Sequence, residues 1–356
     1  MVSIISALVF GVAVPVLVMA MLVPSLQAKA PKQPNYRGAL VYNGLGIVWF
    51  VWLIAFWVGA HLLVALRVPQ PGWISYLVPL FPLIAGSCAF GLFDDWAGGN
   101  IKGFKGHLRA LAHGQLTTGG LKFVGIGFLS LFTAISLYFD ATLLSVFKIV
   151  LVTCVIALFA NLMNLFDLRP GRAGKVYLLL LATAITCVAA FGLVRIGVLD
   201  IVALVVAALG PLVAVWRFDL GEKGMLGDAG ANSMGAFLGF LFATSLPIWA
   251  LAVLTVALFA INLLSERVSF TRIIEHVPPL QWFDELGRAQ PAHRTQVPHS
   301  RDERAFAQPS HSRDERAFAR PSHPRTEGTQ EAVSTQEAVS TQDTVSTQDT
   351  ERRTHG

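Results

Sequence analysis

Apolar runs of about twenty residues alternate with short polar connections over most of the chain. The runs cover approximately 2–23, 44–66, 73–93, 121–139, 143–163, 176–194, 199–216, 231–246 and 248–264. A helix needs about 20 residues to cross a bilayer core, and only helices or closed barrels satisfy their backbone there. The pattern therefore predicts an all-α, polytopic integral membrane helical bundle with about nine transmembrane helices. The runs at 199–216 and 231–246 are the shortest of the set. The first run lacks a basic leader and a small-residue cleavage site, so it is expected to persist as the first helix.

The connections differ in charge. Lys29, Lys32 and Arg37 lie in the first, Lys102, Lys105 and Arg109 in the third, Arg169, Arg172 and Lys175 in the fifth, and Arg217 and Lys223 in the seventh. The even-numbered connections hold only Arg67 and Arg195. Lys and Arg collect on the cytoplasmic side, so the N-terminus is expected outside and the C-terminus in the cytoplasm. Two domains follow: a membrane domain over 1–290 and a tail over 291–356. In the tail HSRDERAFAQPS at 299–310 recurs as HSRDERAFARPS at 311–322, followed by TQEAVS, TQEAVS and TQDTVS. Such polar repeats bury no apolar stripe and are expected to form a disordered cytoplasmic tether.

Composition agrees. Hydrophobic residues make up 54% of the 356 residues and charged residues 14%, against about 25% charged in soluble domains. The net charge of +5 forms no stripe suited to nucleic acid. Cys88, Cys154 and Cys187 lie in separate apolar runs and read as small helix residues. His61 reads as a hydrogen-bonded structural residue in the outer half of its run.

Four polar clusters fall in odd-numbered connections, on the face assigned to the cytoplasm by Lys and Arg alone. Asp94 and Asp95 end an apolar run. Carboxylates at that depth are costly unless paired, protonated or bound to a cation, and a solvated helix end is the plainer alternative. Asn161, Asn164 and Asp167 share one helix face at i, i+3 spacing, which suits either a ligand or hydrogen bonds between helices. Gly227 and Gly230 bracket Asp228 just before a helix start, where free N–H groups favour an anion. The fourth cluster is basic: Lys102, Lys105, Arg109, Lys122, Arg169, Arg172 and Lys175. Topology alone explains most of it.

With Pro34-Asn35-Tyr36-Arg37-Gly38, Asp94-Asp95, Asn161-x-x-Asn164-x-x-Asp167 and Leu226-Gly227-Asp228-x-Gly230, the chain resembles the polyprenyl-phosphate N-acetylhexosamine-1-phosphate transferases from about Asn35 to Gly287. The resemblance implies transfer of a sugar-1-phosphate from a UDP-linked amino sugar to a polyprenyl phosphate in the bilayer, releasing UMP, on the cytoplasmic face of a cell membrane. It implies Mg²⁺, with Mn²⁺ as an alternative, at Asp228. Asp94 and Asp95 are the implied catalytic pair beside the lipid phosphate. Asn161, Asn164, Asp167, Lys105 and Arg172 are the candidate substrate-binding residues. A homodimer is left open.

The chain departs from that family where Asp-Gly-x-Asp-Gly would follow the paired asparagines. Here Asp167 is followed by Leu168-Arg169-Pro170-Gly171-Arg172. Met225 and Ala231 replace an aromatic and a serine, and Arg272, Glu275 and His276 stand where a His-rich loop would lie. A catalytically silent relative that binds lipid-linked or nucleotide ligand is the alternative. A transporter would instead place ionisable groups near mid-membrane.

Overall fold

The computed structural model describes residues 1–68, 72–98, 106, 109–110, 113–191 and 197–288, all within one unit, Met1–Ala292. The tail and its repeats, with Lys102, Lys105 and His107, lie outside the described residues. In chain order the helices are α1 (Val2–Lys29), α2 (Val48–Ala65), α3 (Leu77–Ala97), α4 (Thr118–Tyr138), α5 (Leu143–Phe166), α6 (Arg172–Phe191), α7 (Val198–Leu220), α8 (Gly227–Ser245) and α9 (Ile248–Ser265). Two short helices follow, α10 (Phe270–His276) and α11 (Pro278–Glu285).

Among the described residues, eight helices are long and apolar enough to cross a membrane. The protein is thus an all-α polytopic membrane protein. The expected run 231–246 falls in α8, which is outside those eight because Asp228, Asn232 and Ser233 lower its hydropathy. Its surroundings explain how it tolerates them: 17 of its 19 residues are buried, so neighbouring helices shield it from lipid. α8 packs on α3, α5 and α6. Gly235 and Gly239, four apart, let α5 come against its backbone: a Cβ on Gly235 would lie 2.2 Å from the Phe159 carbonyl oxygen, and one on Gly239 2.6 Å from Ile156 Cα. Small residues at this spacing are the usual means of close helix approach in membranes.

Further from the site an aromatic knot ties four helices together. Trp49 of α2 is fully buried, with Tyr177 of α6 at 5.8 Å and Phe237 of α8 at 5.7 Å between ring centroids. Trp52 donates from Nε1 to the Ala207 carbonyl of α7 at 2.9 Å. Tyr177 donates its hydroxyl to the neighbouring Ala208 carbonyl at 2.9 Å. Trp52 and Tyr177 are at home in such a core because each finds a carbonyl for its polar atom, whereas the Trp49 indole N–H has no partner among the described residues. His61 Nδ1 lies 2.9 Å from the Trp57 carbonyl, a local contact within its own helix.

One end of the bundle is elaborated. Lys32–Pro34 (β1) pairs antiparallel with Leu40–Asn43 (β2), and β2 pairs parallel with Gly224–Met225 (β3), which leads directly into α8. At the same end the α10–α11 pair docks on the start of α6. Asp284 accepts from Arg172 Nε at 2.7 Å and from Arg172 Nη2 at 3.0 Å, and a third bond comes from Arg288 Nη2 at 2.9 Å. Lys175 donates to the Asp284 and Phe283 carbonyls at 2.6 and 2.9 Å. Arg172 also donates to Thr271 at 2.9 Å, and Arg169 pairs with Glu275.

Burial alone would raise the Asp284 carboxyl, but the hydrogen bonds from Arg172 and Arg288 hold it below the usual carboxylate range. Its folded-state value is depressed, so the stability it gives is present above the unfolded value of about 3.9 and is lost as pH falls through the folded-state value. Asp284→Asn should release the α10–α11 pair at neutral pH. It leaves Arg172 buried without its carboxylate, at a cost of about 3–5 kcal/mol. Hydrogen exchange over 270–288 should rise sharply in that variant, and in the parent only below about pH 4. Unchanged exchange in Asp284→Asn would show that the clasp does not hold the pair down.

Candidate functional site

The site is built on the last turn of α3 and the first turn of α8. Adjacent helical residues point about 100° apart, so Asp94 and Asp95 serve different neighbours. Asp95 is 8% exposed and turns toward α8. Its Oδ1 accepts the Asp228 N–H at 2.9 Å and its Oδ2 the Ala229 N–H at 3.1 Å. Asn43 of β2 adds Nδ2 to Oδ1 at 3.1 Å, and Gln33 donates to the Asp95 carbonyl at 2.7 Å. The residue before α8, Leu226, offers no side-chain cap. A carboxylate from another helix therefore satisfies the unpaired N–H groups, where the helix dipole favours negative charge.

Gly227 makes this approach feasible. Its φ of +72° suits glycine, and a Cβ there would lie 2.2 Å from Asn43 Oδ1 and 2.6 Å from Asp95 Oδ2. One turn before Asp95, Gly91 lets α3 reach the Ala229 backbone, since its Cβ would lie 2.5 Å away.

Asp94 faces the other way and meets a cation. Lys122 of α4 places Nζ 2.7 Å from Asp94 Oδ2 and also pairs with Asp228 Oδ2. The three side chains are 15–25% exposed. Two carboxylates share one ammonium, so with both ionised one excess negative charge remains. Positive charge on the cytoplasmic side would by itself account for Lys122. The stronger signal was its place inside the apolar run that became α4, since a charged residue there is costly without a partner.

Asp167 caps the C-terminus of α5 and is half-buried. Burial first, and then the nearby carboxylates of Asp219, Asp228 and Asp95, push its carboxyl well above the usual range. Asp219, which no motif singled out, accepts the Gly171 N–H at 2.9 Å and so anchors the loop between α5 and α6.

Beside the Asp94–Lys122–Asp228 group lies a cavity of about 520 Å³ between α4, α5, α8 and α9. Lys122, Glu266, Thr117, Asn161, Asn164, Asn232 and Asn262 supply its polar lining, and Phe123 and Phe259 are among its apolar walls. Asn161 Nδ2 donates to Asn262 Oδ1 at 2.6 Å, so this asparagine bonds between helices as well as facing the cavity. Asn262 in turn donates to the Leu258 carbonyl at 2.8 Å. Asn232 is only 2% exposed, and its Nδ2 has no partner among the described residues. A buried amide left unpaired costs about 1–3 kcal/mol, which a polar ligand group in the cavity would recover. Neither Asn232 nor Asn262 belongs to the spaced motif that drew attention to Asn161 and Asn164.

Arg172 is placed differently from its expected substrate-binding role. It is 2% exposed and its guanidinium is taken up by Asp284 and Thr271, which makes it part of the clasp holding α11. Lys105 lies outside the described residues. Nearby, Arg37, Arg169 and Arg288 stand 5.0, 5.2 and 5.5 Å from the Tyr36 ring, with Arg37 paired to Glu222 at 3.1 Å. The β1–β2 turn, the α5–α6 loop and the segment after α11 thus converge on one aromatic ring.

Among the described residues, no group of three or more His, Cys, Asp or Glu could hold a metal ion. Mg²⁺ seldom asks for one. It takes one or two carboxylates and completes its shell with phosphate oxygens and water. Asp94 and Asp228, close enough to share one ammonium, fit that smaller donor set. Compared with known proteins, the chain matches no protein-family model and no curated protein.

The two aspartates of α3 should separate experimentally. Asp95→Asn puts an NH₂ group where an acceptor for a backbone N–H is needed, and should cost about 2–3 kcal/mol. Asp94→Asn leaves Lys122 paired with Asp228 and should cost about 1 kcal/mol or less. Thermal unfolding of the purified variants in detergent measures the difference. Equal destabilisation would contradict the division of roles.

Proposed function

We propose that the chain transfers a sugar-1-phosphate from a UDP-linked N-acetylhexosamine to a polyprenyl phosphate, giving polyprenyl-diphospho-sugar and UMP for a cell-envelope polymer. The observation that carries this reading is the meeting of Asp94, Lys122 and Asp228, from three separate helices, beside a cavity between apolar helices. A phosphate on a lipid tail and a soluble diphosphate need such a shared place. The cavity's apolar walls suit an isoprenoid, and its open amides suit the polar head.

In the proposed reaction an oxygen of the lipid phosphate attacks the β-phosphorus of the UDP-sugar. The new oxygen–phosphorus bond forms as the bond from the β-phosphorus to the bridging oxygen breaks, and UMP leaves with that electron pair. Phosphoryl transfer of this kind depends on positioning and charge neutralisation more than on covalent help. Mg²⁺ at Asp228 and Asp94 would neutralise charge on the diphosphate. Lys122 is the cationic side chain among the lining residues and draws the lipid phosphate to the carboxylate end of the cavity. A phosphate monoester has its second pKa near about 6, so it is largely ionised at neutral pH and needs no strong base. Asp94 faces the reacting groups and takes up any residual proton. Asp95 acts through α8 as a positioning residue. Asp167, Asn161 and Asn164 border the seat of the sugar nucleotide.

The Lys and Arg content of the connections supports a cytoplasmic site face, with the N-terminus outside and nine crossings when the shielded α8 is included. One observation favours a second reading. Lys122 already neutralises much of the charge between Asp94 and Asp228, as a silent binding protein would require.

Purified protein given undecaprenyl phosphate, Mg²⁺ and a panel of UDP-sugars should release UMP with at least one of them. Asp228→Asn should reduce that turnover at least about a hundredfold while inserting normally, since removing one preorganised charge contact typically costs 10²–10³ in rate. No release from any UDP-sugar would contradict the transferase reading. Full Mg²⁺-dependent turnover in Asp228→Asn would remove this aspartate from the site.

A further inference from the structure

Resting on that reading, we infer that Lys122 is an internal counter-ion which a divalent cation displaces, and that the displaced ammonium swings into the cavity to bind a phosphate monoester.

Two ionised carboxylates from different helices repel each other at close range in an apolar bundle, and a cation between them relieves that cost. Lys122 supplies one, touching both Asp94 and Asp228. The compensation is incomplete, because one positive charge meets two negative ones. A divalent ion on the same two carboxylates balances them fully. It also needs the space between them that the ammonium occupies, and adding it without removing Lys122 would leave one excess positive charge. Metal and ammonium therefore compete for one position.

The side chain has somewhere to go. Lys122 is itself part of the lining of the 520 Å³ cavity, so rotation of its four-carbon stem moves Nζ from the carboxylates toward Asn161 and Asn164 without moving α4. Those amides are neutral and Glu266 is the one carboxylate in the described lining, so a phosphate supplies the further negative charge that favours the ammonium there. The unpartnered Nδ2 of Asn232, buried against the same cavity, is a second donor that lacks an acceptor. An ammonium and an amide N–H together suit a phosphate group. Cation binding at the carboxylates would in this way create the phosphate site, and the two ligands would bind with positive coupling.

The test uses the full-length protein in detergent and Mn²⁺, which is read directly by electron paramagnetic resonance. Lys122→Met removes the competitor and should bind Mn²⁺ at least tenfold more tightly than the parent. Equal affinity in the two proteins would overturn the exchange. No Mn²⁺ binding in either would overturn the cation site of the proposed function, and this inference with it.

A second measurement needs only the parent protein and decides the matter if Lys122→Met does not fold. Acetylation of Lys122 by acetic anhydride, mapped by mass spectrometry, should rise severalfold when Mn²⁺ is added. An unchanged yield contradicts displacement. Farnesyl phosphate should then suppress the acetylation. Inorganic phosphate at the same concentration should not, if the lipid tail contributes to binding. Equal suppression by both would support a site for phosphate itself, and suppression by neither would refute the phosphate role.

Discussion

The contact on which the site depends is the carboxylate of Asp95 against the first N–H groups of α8. A helix that begins inside a membrane protein has several donors to satisfy and no water to satisfy them. α8 has no capping side chain of its own, so it borrows one from α3. The loan fixes geometry. Gly91 and Gly227 must lack side chains for the two helices to come so close. Once they do, Asp94 and Asp228 stand on the same side of the joint, where neither can remain charged without a cation. Lys122 answers that need.

Much of the fold was legible in the pattern of apolar runs, because a bilayer leaves a chain little choice of structure. Eight of the nine runs became helices apolar enough to span. The exception, α8, shows where hydropathy stops informing: a helix surrounded by other helices no longer has to dissolve in lipid. Helix ends were less legible. α3 extends through Asp94 and Asp95 to Ala97, and α6 starts at Arg172 rather than 176, because buried ion pairs and carboxylate caps let polar residues remain helical.

The site was legible as a set of residues and less so as a set of roles. Asp94-Asp95 reads as a pair in sequence, yet helix geometry sends the two side chains to different tasks. Asn161 and Asn164 were visible by spacing, while Asn262, which bonds Asn161, and Asn232, which lines the same cavity, come from other helices and leave no periodic trace. Arg172 is a candidate substrate contact by its sequence, and Arg169 a member of the basic cluster. Their carboxylate partners, Glu275 and Asp284, lie about a hundred residues away, and only the folded chain brings them together. Two arginines of this loop are thus held by two acids of the α10–α11 pair.

The account's central claim is that Asp94 and Asp228, far apart in sequence, share one small volume at one end of the bundle. Cross-linking tests it most directly. In a background carrying Cys88→Ala, Cys154→Ala and Cys187→Ala, the pair Asp94→Cys and Asp228→Cys would be treated in membranes with a short bifunctional thiosulfonate. The account predicts efficient intramolecular linkage, comparable to that of Asn161→Cys with Asn262→Cys, whose native side chains touch at 2.6 Å. Linkage of the asparagine pair without linkage of the aspartate pair would contradict it.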